Sequence, residues 1–210
     1  EKSVEYLRKK GIAKASKKMS RSASEGLVLA HESSGEVSVI EINSETDFVA
    51  KNKDFINFCK EISEINFKIS GNLDKLNESM MKNNISVREN LINLISKIGE
   101  KITIRRSKFF NKENGKNYFY THSALEKNIG KIVSVVKLSN TADSDLGQKV
   151  AMHIAASNPL AIDKNGIKKE IIDKELEIIK AELLNSGKSG EIADKISKGK
   201  INKFISDNTL

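Results

Sequence analysis

Asp47 and Phe48 are the two residues of this chain whose types and position best suit the recognition of another molecule. The apolar alternation of Val37, Val39 and Ile42 predicts a strand that ends just before them. A large apolar ring beside a carboxylate, on a corner where the chain leaves a sheet, can enter a pocket of a partner protein. The alternative, which residue chemistry alone favours, places Phe48 in the core and lets Asp47 cap the next helix.

No catalytic or metal-binding constellation is recognisable in the sequence. His31, His122 and His153 lack metal-type spacing and have no evident carboxylate partner. Cys59 is the only cysteine, which excludes an intrachain disulfide and a cysteine zinc site, and we expect it to be a small core residue. Because no phosphate-binding glycine string is present, we expect no direct nucleotide binding, and no cofactor or metal.

The composition is typical of a soluble globular protein with one or two domains, since 38% of the 210 residues are hydrophobic and 30% are charged. No apolar run is long enough for a membrane helix and no signal peptide is visible, so we expect a reducing, cytoplasmic compartment. The net charge of +8 permits binding to nucleic acid or to an acidic protein. Because the lysines are scattered and only 5% of residues are aromatic, we favour a solvated lysine-rich surface. A basic nucleic-acid-binding module remains the alternative function.

Hydrophobic periodicity predicts strands and helices along residues 21–115. Asp54 is predicted to cap a helix that carries apolar residues at helical spacing, and Ser86 with Glu89 has the capping-box pattern of a helix start. The predicted strands lie at residues 27–31 and 36–43, joined by a turn at 32–35, and a third strand lies at 101–107. The predicted helices lie at residues 54–69, 73–81 and 86–99.

The second half of the chain repeats this plan. The predicted elements are a strand at residues 118–122, a turn at 123–130, a second strand at 131–139 and a helix capped by Asp143 or Asp145. Aligning Val37 with Val133 superposes the apolar positions of two of the strands. We therefore predict an α+β fold of two similar subdomains, each a small antiparallel sheet with helices on one face.

Helical segments are expected at both ends. Residues 2–20 are predicted to form two short helices broken at Gly11, and residues 168–205 an antiparallel helical hairpin. The apolar faces are formed by Val4, Leu7, Ile12, Ala15 and Met19 in the first segment, and by Ile172, Leu176, Ile179, Leu183, Ile192, Ile196, Ile201 and Phe204 in the second. The predicted domains are residues 1–20, 21–115 and 116–210.

The string Glu-Ile-Asn-Ser-Glu-Thr-Asp-Phe-Val-Ala-Lys at residues 41–51 resembles the Thr-Asp-Phe-Val signature of the bacterial-type elongation factor Ts family. The match is long and has no gap, which makes it far more specific than a short glycine motif. Other stretches resemble the same family in the expected order, at residues 6–15, 98–106, 154–159, 191–196 and 199–200. The resemblance therefore covers essentially the whole chain.

The resemblance implies guanine-nucleotide exchange on the GTPase elongation factor Tu, in a bacterial cytoplasm or an organelle matrix, without covalent chemistry. In that family the phenylalanine that matches Phe48 enters an apolar pocket near the magnesium and phosphate site of the GTPase. By analogy Phe48 is the wedge, Asp47 orients or repels, and Thr46 and Val49 shape the corner. A family member that holds its partner with weak exchange activity would have the same sequence features.

The resemblance also implies a second contact patch around Ile132, Val133 and His153. The family has an isoleucine-glycine pair where this chain has Ile132 and Val133, and the valine puts a close backbone approach there in question. His153 matches a partner-contacting histidine, but a position at the edge of the core explains it equally well. Because the family carries further segments at both ends, we expect the chain to be part of a longer protein.

Overall fold

The computed structural model describes residue 6 and residues 11–13, 15–187 and 190–210. The strands are β1 (Glu25–Ser33), β2 (Glu36–Ser44), β3 (Ile102–Phe110), β4 (Lys116–His122), β5 (Ile129–Gly130) and β6 (Ile132–Leu138). The helices are α1 (Asp47–Ala50), α2 (Lys53–Lys68), α3 (Leu73–Glu78), α4 (Val87–Ile98), α5 (Ser144–Ser157), α6 (Lys169–Asn185) and α7 (Gly190–Asp207), with a 3-10 turn at Lys164–Gly166. The predicted α+β class, with small antiparallel sheets and a C-terminal helical hairpin, is confirmed.

The first sheet has the strand order β3-β2-β1-β5 and is antiparallel throughout. Its central hairpin joins β1 to β2 through Ser34 and Gly35, which both have positive φ, at 53° and 82°. Left-handed backbone at both central residues is the geometry whose twist matches the two flanking strands. The hairpin therefore fixes the register of β1 and β2, and with it the point at which the chain leaves the sheet after Ser44.

The core lies between one face of this sheet and helices α1 to α4. Alternate residues of β1 and β2 point into it because side chains alternate along a strand. Core side chains that are at most 2% exposed include Leu29, Ile40, Ile42, Phe55, Cys59, Ile62, Leu76, Val87 and Ile102. Cys59 is thus a core residue as predicted, and burial raises the pKa of its thiol.

The helix caps agree only in part with the sequence prediction. The Oδ1 atom of Asn52 accepts hydrogen bonds from the N–H groups of Asp54 and Phe55, so Asn52 caps α2 and the prediction of Asp54 as the cap was wrong. The predicted cap of α4 is confirmed, because the Ser86 hydroxyl accepts from the N–H of Glu89.

The second sheet contains β4 and β6 and is also antiparallel. Within the expected turn 123–130, residues 129 and 130 form β5 and pair with β1 of the first sheet. A Cβ at Gly130 would lie 2.6 Å from the carbonyl oxygen of His122, so the close approach of β4 there requires glycine. The chain between the two sheets is thereby anchored to both.

Two compact units divide the chain at residues 152 and 153, within α5. In the second unit α6 and α7 form the helical hairpin, with Ile179, Leu183 and Ser197 buried between them. Ile192 is exposed, so its predicted place on the apolar face of the second helix of the hairpin was wrong. The domain boundaries proposed after residues 20 and 115 stay predictions.

The N-terminal helix is described at residues 11–13 and 15–18, and the expected face at Val4 and Leu7 lies outside the described residues. Ala15 is buried, whereas Ile12 and Met19 are exposed, so the predicted apolar face of three residues was wrong for two of them. None of the helices in the described part of the chain is long and apolar enough to cross a membrane.

Candidate partner-binding site

Residues 46–49 form the corner at which the chain leaves β2 and enters the single turn of α1. Phe48 is 78% exposed, whereas its neighbours Val49 and Ala50 are buried in the core. Consecutive residues of a helix point about 100° apart. A turn that packs Val49 and Ala50 inward therefore directs Phe48 outward, and the alternative placement of Phe48 in the core is excluded.

Asp47 lies beside the exposed ring as a paired, ionised carboxylate. Its Oδ2 atom accepts a hydrogen bond from Lys51 Nζ at 2.8 Å, one helical turn away. This bond, followed by the charges of Lys51 and Lys131, lowers the pKa of Asp47. Asp47 is the first residue of α1 and not its cap, so the alternative role predicted for it was wrong.

Two carboxylates tie the corner to the connection between α4 and β3. Glu100 accepts from the N–H of Thr46 at 3.0 Å and from its hydroxyl at 2.9 Å. Glu45 accepts from the N–H of Lys101 at 2.5 Å and from Arg21 Nη1 at 3.2 Å. The Lys101 N–H is the largest influence on Glu45 and, with Arg21, lowers the pKa of that carboxyl.

Ile132 begins β6 opposite His122, and its side chain is 45% exposed. Val133 is partly buried, and its backbone carries the ladder to Thr121. Both side chains line a groove of about 430 Å³ whose other walls come from β1, β2 and β3. Of the two predicted contact residues, Ile132 is thus the more accessible.

Lys131 connects this second patch to the corner electrostatically. Its ammonium group pairs with Glu25 of β1 at 2.5 Å, and its charge contributes to the low pKa of Asp47. The corner and the start of β6 belong to the same compact unit. Lys131 is thus close enough to the corner for its charge to act on Asp47, and the next residue along the chain is the exposed Ile132.

His153 belongs to the second compact unit and lies on α5 with an exposed side chain. Its carbonyl oxygen accepts from the Ser157 hydroxyl within the same helix. The imidazole is accessible to a partner, and its contact role stays a prediction.

Comparison with known proteins identifies the family. The family model described as elongation factor TS matches residues 45–210, and its match begins one residue before the corner. The chain belongs to the elongation factor Ts family. Proteins named elongation factor Ts from Clostridium kluyveri, Xanthobacter autotrophicus and Methylobacterium nodulans are 40%, 39% and 37% identical to it. These alignments cover all of this chain and 69% to 70% of each relative. The family is one of translation elongation factors, so the resemblance inferred from the motif at residues 41–51 is confirmed.

Sequence reasoning did not assign a role to Glu100 or to the Asp47–Lys51 pair in this elongation factor Ts family member. The spacing of Lys51 four residues after Asp47 in a helical turn is a signal that could have predicted the pair. Glu100 lies 54 residues from Thr46, and no local pattern connects them. Within the described part of the chain, no group of three or more His, Cys, Asp or Glu residues could hold a metal ion.

Proposed function

We propose that this chain is a guanine-nucleotide exchange factor for elongation factor Tu. It binds the GDP form of that GTPase, disturbs the magnesium and phosphate site and promotes GDP release without covalent chemistry, in the bacterial cytoplasm or organelle matrix where the GTPase works. The observation that carries the proposal is the 78% exposure of Phe48 on a turn whose next two residues are buried. Membership of the elongation factor Ts family supports the choice of partner.

Exchange requires negative coupling between the factor and the nucleotide on one protein. The factor must make contacts with the nucleotide-free state that the nucleotide-bound state does not offer, and each ligand then weakens the other to the same extent. Phe48 suits such a contact because core packing of Val49 and Ala50 holds the backbone that carries its ring. Asp47 remains ionised at neutral pH, so it brings a negative charge next to the inserted ring.

A second set of contacts orients the partner. Ile132 offers exposed apolar surface, and Val133 adds to it from the wall of the groove. His153 is a separate proposed contact on the second compact unit, where its imidazole is accessible. Thr46 and Val49 act through the shape of the corner.

The test is the rate of GDP release from elongation factor Tu, followed by stopped-flow with a fluorescent GDP. Phe48→Ala is compared with Met80→Ala, because Met80 is a large apolar residue that is 66% exposed and lies outside the proposed contacts. A buried aromatic anchor contributes about 2 kcal/mol or more to an interface, and about 2 kcal/mol corresponds to a factor of about 30. We expect Phe48→Ala to reduce the stimulated rate of GDP release by about this factor. Met80→Ala should stimulate release as well as the wild-type protein does.

Equal acceleration by wild-type protein and Phe48→Ala would remove the wedge from the proposal. Tight capture of elongation factor Tu without acceleration would identify a holding protein with weak exchange activity. RNA or DNA binding with no effect on GDP release would instead favour the basic nucleic-acid-binding alternative.

A further inference from the structure

We infer that Glu100 is a positioning residue for the exchange contact, because its carboxylate holds Thr46 and thereby the corner that presents Phe48. This inference rests on the proposed function. Each Glu100 oxygen receives a different donor of Thr46, Oε2 the backbone N–H at 3.0 Å and Oε1 the hydroxyl at 2.9 Å. A two-point contact fixes the orientation of a residue as well as its distance.

Thr46 uses its hydroxyl for this contact and not for its own helix. It stands at the N-cap position of α1, where a threonine side chain ordinarily accepts a bond from the first turn. Within the described residues its hydroxyl donates to Glu100, and no side-chain cap bond is made to α1. The arrangement therefore stabilises the placement of the corner against the rest of the unit more than it stabilises the helical turn.

The turn depends on such outside support. An isolated helix shorter than about 12 residues is marginal in water, and α1 has four residues. On one side Val49 and Ala50 are held by the core. On the other side, before Phe48, Glu100 is the contact that reaches Thr46 from a distant part of the chain. The Ser44 hydroxyl donates to the Thr46 carbonyl at 3.0 Å, so removing Glu100 leaves that local bond as the remaining side-chain contact to Thr46 among the described residues.

Glu100 is itself well placed to act as a fixed point. It follows Gly99, which ends α4 in the left-handed conformation at φ 84°, and it precedes the buried Ile102 of β3. The contact is also reciprocal, because the neighbouring Lys101 N–H is accepted by Glu45, directly before Thr46. Two crossed side-chain-to-backbone contacts thus join residues 45–46 to residues 100–101.

Glu100→Gln tests the role with little change in shape. The amide oxygen still accepts from the Thr46 N–H, and the N–H₂ group can donate to the Thr46 hydroxyl, so both bonds change from charge-assisted to neutral. A charge-assisted hydrogen bond is about twice as strong as a neutral one, so weakening two of them corresponds to about a tenfold effect. We expect the maximal rate of GDP release at saturating factor to fall about tenfold. Glu78→Gln is the matched control, since Glu78 is exposed and makes no ion pair among the described residues.

Two further measurements separate positioning from general stability. Amide hydrogen exchange of residues 47–50 in the free protein should quicken in Glu100→Gln while that of α2 does not change. In a double-mutant cycle with Thr46→Val, GDP release stimulated by the double variant should be no slower than release stimulated by the less active single variant. The two effects should not add, because both substitutions act on the same contact between Glu100 and Thr46.

The inference is overturned if Glu100→Gln and Glu78→Gln stimulate GDP release at the same rate. It is also overturned if the rate losses of Glu100→Gln and Thr46→Val multiply in the double variant. Should Glu100→Gln fail to fold, Thr46→Val decides, and unchanged amide exchange of residues 47–50 in that variant overturns the inference. Failure of the proposed function has a different signature, because the wild-type chain itself would then not accelerate GDP release from elongation factor Tu, whatever Glu100→Gln does.

Discussion

Phe48 and Phe55 lie seven residues apart and are opposite in burial, which allows their contributions to stability to be compared directly. Phe48 is 78% exposed and Phe55 is fully buried. A phenylalanine exposes roughly 200 Å² in an unfolded chain. Folding therefore removes about 45 Å² of Phe48 from water and the whole of Phe55. At about 25 cal/mol per Å², these areas correspond to ~1 kcal/mol and ~5 kcal/mol as upper estimates.

We predict that Phe55→Ala lowers the free energy of unfolding by about 3–5 kcal/mol, whereas Phe48→Ala lowers it by about 1 kcal/mol or less. Urea denaturation followed by far-UV circular dichroism measures both, because the chain has no tryptophan to report by fluorescence. The slope against urea should stay unchanged in Phe48→Ala, since the surface exposed on unfolding changes little.

An equal loss of stability in the two variants would refute this reasoning, because it would mean that the Phe48 ring packs into the core. That outcome would also make slow GDP release by Phe48→Ala uninterpretable as the loss of a contact. A small loss of stability with a large loss of exchange would instead assign the effect to the partner interface.

Two further predictions concern backbone packing and pH. Gly147→Ala should destabilise the protein by about 1–3 kcal/mol, because its Cβ would lie 2.3 Å from the ring of the buried Tyr118. Gly199→Ala is the control and should stabilise α7 by about 0.5–1 kcal/mol in thermal melts, since that Cβ would meet no described atom within 4 Å beyond its chain neighbours and the backbone of its own helix. Glu45 has a lowered pKa, so its contribution is present above its ordinary value of 4.5 and is lost as the pH falls through the folded value. Glu45→Gln should therefore flatten the acid side of a plot of unfolding free energy against pH, and an unchanged acid side would show that the contact to Lys101 has no energetic effect.

The sequence was sufficient to predict elements whose hydrophobic pattern repeats over several turns or strand residues. The face of α2 that contains Phe55, Cys59 and Ile62 is buried as its helical spacing indicated. Alternation in β1 and β2 likewise predicted a hairpin, because one buried face fixes the register of a strand. Long periodic segments average over many side chains, so single exceptions do not alter the prediction.

Short elements and single contacts were predicted less well. β5 has two residues, Ile129 and Gly130, which is too few to show any alternation, and its pairing with β1 is set by tertiary packing. Asn52 and Asp54 are both good helix caps by residue type, and only the backbone conformation of Asn52 decides between them. Ile192 continues the apolar spacing of its helix but lies outside the contact with the facing helix.

The corner combines both difficulties. A helical turn of four residues has no measurable period, so the direction of Phe48 could not be derived from spacing, and the family resemblance supplied it. Its support from Glu100 joins residues 54 positions apart and leaves no local signature. An exposed ring on a short turn contributes to binding only to the extent that its position is fixed beforehand, because ordering it on binding would cost free energy. The side chains on which the proposed exchange contact depends therefore include one that lies far from the corner in sequence, and no local pattern around residues 46–49 identifies it.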